Sequence, residues 1–186
     1  MAAEQTGQPR QPRQTAQPGQ DEQPGAGIVV RLVLWDDPVG SSLRTAQKAE
    51  MIALYGRDVE PGTKPTAADI DVFVIAYDTA SSTALGCGAM RLLPDPTDHP
   101  GETAAELKRM YVLPEQRGRG IGKRILAEIE SHARRRGIHR MRLETGTLQP
   151  EAVGLYEHAG YRQIPNFGPY AGSETSLCFE RVLDPT

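Results

Sequence analysis

The chain has 186 residues, a formal net charge of −3 and 38% hydrophobic residues, which is the make-up of one soluble domain with or without an appendage. It holds no run of about 18 apolar residues, which excludes a membrane-spanning helix, and its first residues lack the apolar core of a secretory signal. Two cysteines, Cys87 and Cys178, are too few for a disulfide framework or a four-ligand zinc site, so reduced thiols and a cytoplasmic setting are expected.

Residues 1–27 repeat Gln at positions 5, 8, 11, 14, 17, 20 and 23 among Pro9, Pro12, Pro18 and Pro24. Almost nothing there can be buried to offset ordering entropy, so a disordered tail is expected ahead of a single folded unit, residues 28–186. That unit opens with an apolar, β-branched strand, 28–34. Ser41 or Ser42 can cap a helix from Leu43 to about Tyr55, closed by Gly56. A loop at 60–68 leads to strands at 71–77 and 84–93, whose short connection predicts an antiparallel hairpin. A proline-rich loop follows, and then a strand at 107–113 stopped by Pro114. Ile121, Ile125, Ile129 and Ala133 recur every four residues, which predicts a helix over about 121–136. A strand at 138–144, a short helix opened by Pro150, and strands at 161–164 and 175–182 complete the chain.

The order is thus β-α-β-β-β-α-β-α-β-β, an α+β (three-layer α/β) fold with a mixed, mostly antiparallel sheet of six or seven strands flanked by helices. Its one parallel step is expected around the long helix. Charge is unevenly spread. Residues 117–142 carry a local balance of +7, whereas 36–106 hold twelve acids against five bases. Such a chain is expected neither to bind nucleic acid generally nor to bind membranes. It suits a compact anionic ligand at the basic block, and the acidic half suits a cationic amine.

The basic block contains Arg117-Gly118-Arg119-Gly120-Ile121-Gly122-Lys123, set between a strand and a helix. Unpaired amides and the dipole at a helix N-terminus favour phosphate, and glycines let the main chain approach it. A P-loop is excluded because Lys123 is followed by Arg124, and G-x-G-x-G is not the dinucleotide spacing. A plain β–α turn with solvated arginines fits the heptad equally well. The histidines at 99, 132, 139 and 158 have no metal-ligand spacing, so no metal is expected.

The segment 117–122 resembles the R/Q-x-x-G-x-G/A signature of the GNAT superfamily of N-acetyltransferases. Residues 107–115 resemble the strand before that signature, and Leu155-Tyr156-Glu157-His158-Ala159-Gly160-Tyr161 resembles the later Leu-Tyr-Glu block. Leu143-Glu144-Thr145-Gly146, Gln149-Pro150, Phe167-Gly168-Pro169-Tyr170 and Cys178-Phe179 are similar to a bacterial subgroup of that superfamily.

The resemblance implies acetyl-CoA as acyl donor, its pyrophosphate on Arg117, Gly118, Arg119, Gly120, Ile121, Gly122 and Lys123. Its pantetheine would lie beside Met110, Tyr111 and Val112. Gln149 stands where many members have Asn against the pantetheine; helix capping or solvent exposure is the other reading. Tyr156 matches the tyrosine that protonates the departing thiolate, although on helical pattern alone it is a core residue. Glu106 matches a general-base glutamate of some members; a water chain, or an ion pair with Lys108, would serve equally. Tyr170 either lines the acceptor pocket or closes a turn. The implied reaction is direct attack of a primary amine, on a small molecule, amino acid or peptide, upon the thioester. A protein N-acetyltransferase and a non-catalytic CoA-binding module are the rival readings, and a homodimer through a sheet edge or the C-terminal strands is compatible with either.

Overall fold

Side-chain alternation along the central strands sets the layers in the computed structural model, which describes residues 27–58, 61, 64–94 and 100–184. Strand β2 (Val72–Asp78) sends Val72, Val74 and Ala76 to one side of the sheet and Phe73, Ile75 and Tyr77 to the other. With both faces apolar, each must be covered by helices. Helix α2 (Ile121–Arg135) lays Ile121, Ile125, Leu126, Ile129 and Ala133 on the first face, and α3 (Pro150–His158) joins it there through Tyr156. Ile125 and Ile129 are wholly buried, and each such side chain stabilises the fold by roughly 1.5–3 kcal/mol. Helix α1 (Pro38–Tyr55) covers the second face, where Leu43 meets Phe73, Ile75, Cys87, Ala89 and Tyr111.

The sheet runs β1 (Ile28–Leu32), β2, β3 (Ala84–Leu92), β4 (Ala104–Val112), β5 (Arg140–Gly146), β7 (Ser176–Val182) and β6 (Arg162–Ile164). All neighbours are antiparallel except β4 and β5, which are parallel and joined through α2. The expected α+β order and mixed sheet are therefore present, with seven strands and three α-helices among the described residues. The expected N-terminal tail falls almost wholly on residues 1–26, outside the described residues. No described helix is long and apolar enough to cross a membrane.

Three boundaries differ from expectation. Helix α1 starts at Pro38, not Leu43, because Asp37 is its cap: the carboxylate accepts from the Gly40 amide at 2.9 Å and Pro38 occupies N1. Ser42 lies inside the helix and its hydroxyl donates to the Pro38 carbonyl at 3.0 Å. Strand β4 starts at Ala104, so Glu106 sits within it rather than at its head. Strand β5 is shifted to 140–146, since the turn closing α2 reaches to Ile138, whose amide bonds the Ala133 carbonyl at 3.1 Å. The C-terminal strand β7 is interior, so the sheet's edges are β1 and the three-residue β6.

One irregularity positions the site. Cys87 pairs with Tyr111 and Ala89 with Lys108, so Arg109 and Met110 together oppose Gly88. Arg109 has φ of 56°, and a bulge of this kind bends its strand. Pairing of β4 with β5 accordingly ends at Leu107 and Leu143, beyond which the two strands part.

Candidate active site

At the far end of the parted strands, the glycine turn feeds α2. Gly118 and Gly120 have φ of 77° and 73°, the left-handed region where a side chain is strained. Gly120 is the N-cap and no side chain caps the helix; Arg124 is the first residue whose amide bonds back, to the Gly120 carbonyl at 3.2 Å. The amides at N1 to N3, Ile121, Gly122 and Lys123, therefore have no helical acceptor and point outward. They open on a cavity of about 490 Å³ walled by α1, β4, the turn and the start of α3, with Met110, Tyr111, Val112, Gly118, Gly120 and Gln149 among its lining. An uncapped helix start on a cavity that continues along β4 to α3 suits a diphosphate with an extended arm.

The cations of the block are used unequally. Lys123 lines the cavity. Arg117 lines it too, but its guanidinium holds Glu50 of α1 through two bonds of 2.7 and 2.8 Å and donates from Nε to the Val112 carbonyl at 3.1 Å. Arg119 bonds Gln116 and lies 3.7 Å from Asp78, and Arg124 donates to the Ile28 carbonyl at 3.3 Å. Main chain therefore dominates what the turn can offer an anion, and Arg117 fastens α1 to the turn.

A second cavity of about 140 Å³ adjoins the first, between α1 and the splayed ends of β4 and β5. Gln47, Met51, Met110, Gln149, Ala152 and Tyr156 line both. Tyr156 is 5% exposed, edge-on to Tyr161 with ring centres 5.9 Å apart. Burial, and then the charge of Glu144, push its phenol up, so it keeps its proton as a donor. Gln149 is the N-cap residue of α3 and its carbonyl accepts from the Ala152 and Val153 amides, both at 3.1 Å, while its side chain makes no capping bond and lines both cavities. The end of α1 closes over β5: the Leu148 amide donates to the Tyr55 hydroxyl at 3.0 Å, and a Cβ on Gly146 would lie 1.9 Å from that oxygen.

Glu106 and Tyr170 lie one layer away from the cavity wall. Glu106 is fully buried; Oε2 accepts from Arg91 Nε at 2.7 Å and Nη2 at 2.6 Å, while Oε1 accepts from the Tyr170 hydroxyl at 2.6 Å. The partner expected from sequence, Lys108, stands at 3.6 Å from that same Oε1 and donates to the Tyr170 oxygen at 2.8 Å. Tyr170 is 1% exposed, closes the single turn Gly168–Tyr170, packs edge-on to Phe167 with ring centres 5.4 Å apart, and is not among the residues lining the second cavity. Burial and then Glu106 hold its phenol protonated. Lys108 itself does reach the cavity, together with Arg109 and Glu144.

The sequence reading passed over Gln47, Met51 and Tyr55, whose role depends on how α1 crosses the sheet. Glu144 was visible in its four-residue motif, but only the splay of β5 aims it at a cavity. Among the described residues, no group of three or more His, Cys, Asp or Glu could hold a metal ion.

Comparison with known proteins agrees with this arrangement. An IAA acetyltransferase of Azospirillum brasilense is 40% identical over 103 residues, 55% of this chain and 63% of that protein, so the match spans less than two thirds of the relative's length. A Klebsiella pneumoniae structure assigned as an acyl-CoA N-acyltransferase superposes with a TM-score of 0.69 at 28% identity, covering 84% of this chain and 98% of the other. A GNAT family acetyltransferase from Elizabethkingia anophelis, solved with acetyl-CoA bound, has the same fold with a TM-score of 0.56 at 18% identity, over 84% and 98% of the two chains. The profile of the acetyltransferase (GNAT) family matches residues 42–161. With that match across most of the folded unit, the chain belongs to the GNAT acetyltransferase family.

Proposed function

We propose that the protein transfers the acetyl group of acetyl-CoA to a primary amine by direct attack on the thioester, with Tyr156 as the proton donor. The observation that carries this reading is the position of Tyr156. It is buried, held protonated, and set in the wall shared by the cavity that leads from the anion turn and the one beside it.

When bound, acetyl-CoA supplies the electrophilic thioester carbon and a diphosphate for the helix start. The amides of Ile121, Gly122 and Lys123 hold the diphosphate, aided by the Lys123 ammonium. Met110, Tyr111 and Val112, on the β4 edge that has left β5, flank the extended arm, with Gln149 opposite. Tyr156 delivers a proton to sulfur as the C–S bond breaks, which spares the site a bare thiolate. The acceptor's ammonium gives one proton to solvent before its neutral amine attacks, and the nitrogen loses a second as the amide forms; that second loss balances the proton which Tyr156 gives to sulfur and regains. In this reading Glu106 is a positioning residue, since Arg91 and Tyr170 already occupy its oxygens, and it acts by fixing Lys108.

The test is Tyr156→Phe, assayed by release of CoA thiol and by calorimetry with acetyl-CoA. Removing a placed general acid lowers kcat by roughly 10²–10⁴-fold, and the affinity for acetyl-CoA stays within about twofold because the turn is untouched. Full activity in the variant would remove Tyr156 from the mechanism. Tight acetyl-CoA binding with no thiol release from any amine would favour the non-catalytic module.

A further inference from the structure

We infer that the cavity beside Tyr156 is a zwitterion site, and that the acceptor is a small amine that also carries a carboxylate, as a free amino acid does. The inference rests on the acetyltransferase reading above and adds the acceptor's class to it.

The geometry follows from where β4 and β5 part. Leu107 and Leu143 form their last pair, so Lys108 and Glu144 are the first residues on either side of the opening. They belong to the same face of the sheet, and both line the cavity with Tyr156. A cation and a carboxylate thus stand opposite one another at its neck, and the bulge adds a second cation, Arg109, on the β4 side. The other charges of the lining, Lys48 and Asp58, pair with each other at 3.4 Å nearer the surface.

Each pole is built from beneath. The Lys108 side chain is only 9% exposed, its ammonium tied to the Tyr170 hydroxyl at 2.8 Å and set 3.6 Å from Glu106. Glu106 is in turn matched by Arg91, so this buried network brings two cations to one carboxylate, and the Lys108 end of it reaches the cavity wall. Glu144 is held by the Ser176 hydroxyl, which donates to Oε1 at 2.7 Å. An amino acid lying across the neck would set its ammonium against Glu144, on the Tyr156 side, and its carboxylate against Lys108 and Arg109. A peptide N-terminus offers the first group without the second.

The experiment compares the twenty common amino acids with their carboxamides as acceptors at saturating acetyl-CoA, reading thiol release. The better acceptors are expected to be free acids, with kcat/KM about tenfold or more above the matched carboxamide, the usual scale for a charge-assisted contact. Lys108→Met is expected to bring that ratio close to one by raising KM for the acid alone, whereas Glu144→Gln raises KM for both members of a pair. Equal or faster turnover of carboxamides, or of peptide N-termini, would overturn the inference, and so would an unchanged ratio in folded Lys108→Met. So would acetylation of simple amines with every free amino acid refused. Failure to bind acetyl-CoA at all is a different result, and it would remove the underlying acetyltransferase reading.

Discussion

The two ends of the cleft are built by different means. At the turn end a ligand would face main chain: three helix-opening amides and two left-handed glycines, with most of the neighbouring cations engaged by other protein groups. At the other end it faces side chains, delivered by α1, β4 and β5 and braced from below by Arg91 of β3 and the loop around Tyr170. A site made of backbone is encoded within seven consecutive residues and accepts one kind of ligand, an anion. A site made of side chains draws on positions some hundred residues apart, and single substitutions can retune it. On the proposed function, this separates a fixed coenzyme end from an adjustable acceptor end within one fold.

The sharpest way to break the comparison is at the base of the side-chain end. Glu106→Ala would leave Arg91 and Lys108 facing each other across a buried gap, and removing one partner of a buried ion pair costs about 3–5 kcal/mol. Urea unfolding should register that loss. Glu106→Gln, which can still accept from Tyr170, should fall well short of it. If Glu106→Ala unfolds within about 1 kcal/mol of the parent, the network does not brace this end.

At the main-chain end the corresponding change is Gly120→Ala. A Cβ there would meet no atom within 4 Å, so any effect comes from the backbone alone. Holding alanine in the left-handed region costs about 1–2 kcal/mol. Part of that should appear as a lower unfolding midpoint and part as weaker acetyl-CoA binding, with kcat for bound substrates little changed. A variant with lower kcat and unaltered acetyl-CoA affinity would mean that the turn serves chemistry rather than binding.

What could be read from the sequence follows the same division. The repeat of Ile121, Ile125, Ile129 and Ala133 fixes one face of α2 whatever surrounds it, and Gly118 and Gly120 mark the turn for the same local reason. The start of β4 was missed because Ala104 and Ala105 have little strand preference of their own; their pairing with Leu92 and Met141, among others, makes them strand. The two readings of Tyr170, pocket wall or turn, stay open in sequence because nothing local reveals that its loop folds over Glu106 and buries it. Lys108 was read only as a partner for Glu106, although the opening of β4 from β5 also places it in the cavity wall. The bulge at Arg109 and Met110, which creates that opening, has no proline or glycine to announce it.

Arg117 provides the finest test, because it belongs to both descriptions. Sequence marks it as a phosphate ligand, whereas the structure ties it to Glu50, 67 positions away, and to the Val112 carbonyl. If its work is to fasten α1 over the cleft, Arg117→Ala and Glu50→Ala should weaken acetyl-CoA binding by similar small factors. A double-mutant cycle should then return a coupling of about 0.5–1 kcal/mol, the upper part of the range for partly exposed ion pairs. If Arg117 instead binds phosphate directly, its loss should far exceed that of Glu50, and should shrink steeply as salt is raised from low ionic strength. Near-equal single effects with measurable coupling would mean that an arginine inside the signature serves the main-chain site by anchoring its roof.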